Sequence, residues 1–178
     1  MDAYEVLLAR RSIRRFTAQD VSLEDERRLI AAAFAAPSSN NGRPWHFVVV
    51  RDADSRERLA QLHVYASLLR RAPLVIAVLG RADSTQWVVD CAAATENILT
   101  AATALGLGAC WVGIWDDVPG VDPCETECLA SLGAAPDKWR ALCLVGIGHP
   151  AEKKKPRAQI QTTKLSFERF GRRSRPSS

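Results

Sequence analysis

The segment RRSIRRF, Arg10 to Phe16, sets Arg10, Arg11 and Arg14 around the Ser12 hydroxyl. A planar guanidinium matches phosphate oxygens in a bidentate way, and a hydroxyl adds a neutral donor, so Arg10, Ser12 and Arg14 can converge on one phosphate. The same charges would also serve as a solvated basic face or a non-specific nucleic-acid patch. A second segment, APSSNNGRPWHF from Ala36 to Phe47, is a loop of small hydroxyl and amide residues running into an aromatic strand. Such a loop presents donors to a polar ring edge or a phosphate, or simply connects a helix to a strand. In a third, GLGACWVGIW from Gly106 to Trp115, small residues let a ligand approach backbone N–H groups. Its Gly-x-Gly lacks the third glycine and the strand-then-helix order of a dinucleotide fingerprint, which excludes a Rossmann site.

Other reactive residues are isolated. Cys124 and Cys128 in PCETEC are four apart and share a face if helical, but no further Cys or His completes a zinc set, and no C-x-x-C is present. They are expected to be free thiols. His46, His63 and His149 are scattered, and each is assigned a packing or strand-edge role. No Ser-His-Asp order is evident, and no metal site is expected.

The elements that must position these segments follow from periodicity. Val6, Leu7 and Leu8 suit a short helix over residues 2–9. Ser22 followed by Asp25 resembles a capping box, and Leu23, Leu29, Ile30, Ala33 and Phe34 recur at helical spacing until Pro37. Trp45 to Val50 and Leu74 to Leu79 read as buried strands. Between them a helix is predicted over Ser55 to Leu69, with Leu59, Leu62 and Leu69 inward. Gln86 to Leu105 carries the strongest helix signal, rich in Ala and Leu and closed by Gly106, and its lack of charge predicts a central, buried helix. Ala109 to Trp115 is a third strand, residues 125–132 a short helix, and Trp139 to Ile147 a fourth strand. Two helices precede the first strand, so the expected class is α+β, a mixed central sheet sandwiched by helices. Residues 1–170 are expected to form one domain and 171–178 a loose tail.

Composition limits the function classes. With 47% hydrophobic residues in 178, the chain can bury a sizeable core without metals or disulfides. The five cysteines are an odd set within apolar segments, which argues against a secreted disulfide framework and for a reducing cytoplasm. Asp2 and Glu5 stand where a signal peptide would be basic, and no apolar run approaches the ~20 residues of a membrane span. A soluble, untargeted protein is expected, with no membrane and no nucleic-acid partner.

Taken in order, RRSIRRF, APSSNNGRPWHF, DCAAATENILTAATALGLGACW and GIGHPAEKKKPR resemble the FMN-dependent nitroreductase family, especially its short bacterial members, over nearly the whole chain. The resemblance implies that Arg10, Arg11, Ser12 and Arg14 hold the FMN phosphate and ribityl chain, aided by Lys155 and Arg157. It implies that Pro37, Ser38 and Ser39 reach the flavin of the other subunit of a homodimer, that Asn41 lies near the pyrimidine edge, and that Trp111, Val112 and Gly113 line the ring near N5. The implied activity is ping-pong transfer of hydride from NADH or NADPH to a nitroaromatic, quinone or similar small-molecule acceptor. The same pattern would accommodate a specialised dehalogenation or dehydrogenation, or non-catalytic FMN storage. One departure is Arg43, where the family usually has Gln before Pro-Trp; a cation there would favour reduced anionic flavin or an acidic substrate, or serve only a surface salt bridge.

Overall fold

The computed structural model describes residues 2–115, 123–155 and 161–173. Strands β1 (Trp45–Val50), β2 (Leu74–Arg81), β3 (Gly108–Gly113) and β4 (Trp139–Gly148) form one sheet in the order β1-β2-β4-β3, and each neighbouring pair is antiparallel. The two central strands are apolar over residues 74–80 and 141–148, where both faces of the sheet are covered. Along β2, Leu74, Ile76 and Val78 enter one core cluster, whereas Val75, Ala77 and Leu79 enter another on the opposite face. A register shift between Val78 and Leu79 takes β4 directly from Ala141 to Cys143 as pairing partners. Leu142 is the extra residue of that bulge, so Leu142 and Cys143 both join the first cluster before alternation resumes. The sheet expected to be mixed is thus antiparallel among the described strands, with parallel pairing confined to a bridge between Ser12 and Ala109. Apolar runs report burial on both faces and are silent on strand direction.

Helices α1 (Ala3–Ala9), α2 (Leu23–Phe34), α3 (Ala53–Ala60), α4 (Trp87–Ala104) and α5 (Glu125–Ser131) divide between the two faces. The axis of one layer is α4, which packs on the sheet and receives α1 and α2 on its other side. Its Cys91, Ala94, Ile98 and Ala102 are fully buried at helical spacing. Helices α3 and α5 cover the opposite face. Capping follows local chemistry: Asp2 and Glu5 form a full capping box on α1, and the Ser22 hydroxyl accepts from the Asp25 N–H on α2. At the far end of α4, Gly106 adopts φ +74°, and the Gly106 and Leu107 N–H groups donate to Thr103 and Ala102, as its sequence predicts.

The single helix expected over Ser55 to Leu69 is two pieces: α3 ends at Ala60, and a 3-10 helix runs from Val64 to Arg71. The break falls at His63, whose backbone is extended and whose Nε2 lies 3.0 Å from the Gly113 carbonyl oxygen. This contact with β3 overrides helical continuity. Leu59 and Leu69 remain fully buried, since both pieces face the same core.

No helix among the described residues is long and apolar enough to cross a membrane. All five cysteines are buried and none is in a disulfide. Burial pushes the Cys91 and Cys128 thiols up to about 12 and raises those of Cys110 and Cys143 as well. A neutral thiol shielded from solvent is a poor nucleophile. Native protein at pH 8 is therefore expected to give under one equivalent of thiol with a chromogenic disulfide reagent, and the full five only in denaturant.

Candidate functional site

The basic segment after α1 has no helix or long strand of its own, yet both its edges are hydrogen-bonded. On one side the Ile13 N–H donates to the Ala109 carbonyl at 3.0 Å. On the other, Thr17 N–H donates to His149 and Ala151 N–H to Arg15, at 2.9 and 2.8 Å, and Phe16 bridges Pro150. Residues 12–17 are thereby extended between the start of β3 and the chain leaving β4. Extended backbone alternates its side chains. Ile13 turns into the protein and is buried, while Ser12 and Arg14 turn outward.

Two of the clefts that open on this segment gather the candidate residues. Arg10, Arg11, Ser12, Arg14 and Lys154 line one of about 210 Å³. Four cations and a hydroxyl thus face one small space, a setting suited to a multiply charged anion. The Nε of Arg11 is buried with no hydrogen-bond partner, the kind of orphan donor that an incoming acceptor satisfies. Arg10 divides its charge, since its Nε lies 3.2 Å from Glu96 of α4. Arg14 is also part of the wall of the second cleft, of about 660 Å³, together with Phe16, His63, Tyr65, Arg71 and the run Cys110 to Gly113 of β3. That volume suits a cofactor-sized ring system. Trp111, Val112 and Gly113 are therefore brought to the basic segment.

Not every candidate residue joins them. Lys155 lines neither cleft; Lys154 does, drawn in by Glu152 at 3.1 Å, and Arg157 lies outside the described residues. Pro37, Ser38, Ser39 and Asn41 also line neither cleft. Their loop is pinned to the start of α4, where the Ser39 N–H donates to the buried Asp90 carboxylate at 2.9 Å. Asn40, Asn41 and Arg43 all have positive φ, between 44° and 54°. Asparagine tolerates this region, whereas for arginine it is strained. Arg43 is held there by local bonds: its N–H donates to the Ser38 hydroxyl, and its Nε to the Asn41 side-chain oxygen at 2.8 Å. The guanidinium thus orients Asn41 rather than a carboxylate.

Beside Lys154, cleft residues such as His63, Tyr65 and Arg71 escaped sequence reasoning. His63 was given a packing role, yet it borders the larger cleft with a second ring nitrogen, Nδ1, buried and unpartnered. Tyr65 and Arg71 reach the cleft because the 3-10 helix turns them toward it, and no periodicity signals that turn. His46 and His149 stay outside both clefts; His46 packs on Trp139 with ring centroids 5.1 Å apart. Cys124 caps α5 and Cys128 lies within it, and no cluster of three metal-ligating side chains occurs among the described residues.

Gly108 is what lets the basic segment lie against β3. A Cβ there would sit 2.7 Å from Ile13 Cγ2 and 2.8 Å from Ile13 Cβ, too close for a branched side chain to yield. Gly108→Ala is expected to displace Ile13 and lower stability by about 1–3 kcal/mol, read as a lower denaturation midpoint.

A fold and a cleft of this kind have counterparts. The model of the nitroreductase family matches residues 7–65 and 61–149. A protein of Methanothermobacter thermautotrophicus, provisionally named an NADH dehydrogenase/NAD(P)H nitroreductase, is 33% identical over 96% of this chain and 88% of its own. The structure of an FMN-dependent nitroreductase from Clostridium difficile superposes with a TM-score of 0.86 at 28% identity, over 93% of this chain and 98% of that one. An NADPH:FMN oxidoreductase from Vibrio harveyi, solved with NAD+, gives 0.80 at 26% identity, over 96% of this chain and 78% of that one. With the family match running through both the basic segment and the β3 wall, the chain belongs to the nitroreductase family.

Proposed function

We propose that the protein is an FMN-dependent oxidoreductase that uses NADH or NADPH to reduce nitroaromatics, quinones or related electrophilic acceptors. One observation carries this: a four-cation cleft, one of whose arginines has a buried and unpartnered Nε, shares Arg14 with a cleft of ring-system size in a nitroreductase-family chain. Bound FMN would supply the centre that takes hydride from the nicotinamide and passes it to the acceptor in a ping-pong cycle. The chain's own work is to bind, orient and polarise. Arg10, Arg11, Ser12, Arg14 and Lys154 hold the phosphate end. Trp111, Val112 and Gly113 line the ring, and the Arg14 guanidinium favours extra negative charge beside it. Arg157, by family likeness, adds a further cation.

A homodimer completes the site in this proposal. Pro37, Ser38, Ser39 and Asn41 line neither cleft of their own chain, yet Asp90 and Arg43 hold their loop in a strained conformation. That is spent strain unless the loop presents itself to something else, and the flavin of a second copy is the occupant the family likeness favours. Val89 on α4 and Phe34 on α2 are more than half exposed, which suits an interface built on that layer. Five buried cysteines outside any disulfide suit a reducing cytoplasm.

Purified protein should be yellow, bleach anaerobically with NADH or NADPH, and recover its oxidised spectrum on adding a nitroaromatic or quinone. Colourless protein that takes up no added FMN would sink the proposal. Arg10→Ala combined with Arg14→Ala should weaken FMN binding roughly 100-fold, from the loss of two charge-assisted contacts. Sedimentation should give twice the chain mass; a monomer that turns over would remove the shared site.

A further inference from the structure

We propose that Glu152 is a positioning residue that gives the cleft its selectivity for a phosphorylated flavin, by fixing Arg14 and Lys154 at once; this rests on FMN being the ligand of the cleft. One carboxylate oxygen accepts the Arg14 N–H at 2.6 Å and the Arg15 N–H at 3.3 Å. The other lies 3.1 Å from Lys154 Nζ. The two residues so held come from opposite ends of the chain, and both line the four-cation cleft.

Charge alone does not explain an acid here. A carboxylate beside an anion site repels the anion, so on Coulomb grounds removing it should tighten binding. What Glu152 contributes in return is geometry. Arg14 lies on an extended segment whose Ile13 bonds to β3 on one side, and the Glu152 contact closes the other side one residue later. Lys154 is exposed, on a flexible stem, and among the described residues Glu152 is its ion-pair partner. A lysine held in place loses less freedom when a phosphate arrives. The Arg14 N–H holds the Glu152 carboxyl below the usual carboxylate range, so the latch is charged at neutral pH.

The phosphate end and the ring end of the ligand can be separated experimentally, because riboflavin shares the ring and ribityl chain of FMN but lacks the phosphate. Wild type, Glu152→Gln and Glu152→Ala are titrated with each flavin by fluorescence quenching. Glutamine keeps an oxygen for the Arg14 N–H but sets an amide donor against Lys154, so FMN affinity should fall about tenfold, and further with alanine. Riboflavin affinity should change by less than twofold in Glu152→Gln. FMN binding as tight as wild type, or tighter, in Glu152→Gln would overturn the assignment and leave the Coulomb effect as the whole story. Equal weakening of both flavins would also overturn it, marking Glu152 as a general structural contact. Wild type that binds neither flavin would instead remove the FMN proposal itself, a result distinct from both.

Discussion

Everything at the site depends on how six residues, Ser12 to Thr17, satisfy their backbone. An extended segment outside a regular sheet must find partners for its N–H and C=O groups or leave them to solvent. Here it bonds to Ala109 on one side and to the chain at His149 to Glu152 on the other. That double attachment converts a basic stretch into a directed array, because with Ile13 buried the alternation of extended backbone forces Ser12 and Arg14 outward together. The fit requires bare backbone where the segment comes close. Gly108 meets Ile13, and a side chain on Gly148 would strike Pro73 and Phe16.

Behind the array stands a sheet whose two central strands are largely buried on both faces, so the β3 wall of the larger cleft is paired to the most deeply buried part of the molecule. The bulge in β4 adds a second device. Leu142, freed from its β2 partner, offers its carbonyl to the N–H groups of Ile114 and Trp115 and so fixes the chain just beyond β3. Across the cleft, His63 reaches the Gly113 carbonyl and tethers the 3-10 helix that carries Tyr65 and Arg71. The cleft is therefore bordered by β3, the 3-10 helix and the basic segment, each tied to another by a named hydrogen bond.

Much of this was legible in the residues. Strand β1 begins and ends where its aromatic and β-branched run does, and α4 departs by one residue at each end from its Ala-rich pattern, because strong periodicity and a glycine stop leave little choice. The clustering of Arg10, Arg11, Ser12 and Arg14 was legible too, since residue types alone define a guanidinium cluster. What stayed hidden depends on contacts far apart in sequence. No local pattern says that His63 will leave a helix to bond a carbonyl fifty residues on. In EKKK, three lysines are equivalent as sequence, and only the position of Glu152 selects Lys154 over Lys155. Strand direction was hidden for a different reason: a strand buried on both faces looks the same whichever way its neighbour runs.

Gathering four cations around 210 Å³ costs free energy before any ligand arrives, and the way the protein distributes that cost is informative. Arg10 is partly neutralised by Glu96, and Lys154 by Glu152. The side chains of Arg11 and Arg14 have no carboxylate partner among the described residues. Two of the four cations are thus compensated within the fold, and two are not. A surface patch evolved only for solubility would scatter its charges among solvent and counterions, and would have no need to bury Arg11 Nε without a partner. On the proposal that FMN is the ligand, two unpaired guanidinium groups beside two paired cations leave charge to meet its phosphate.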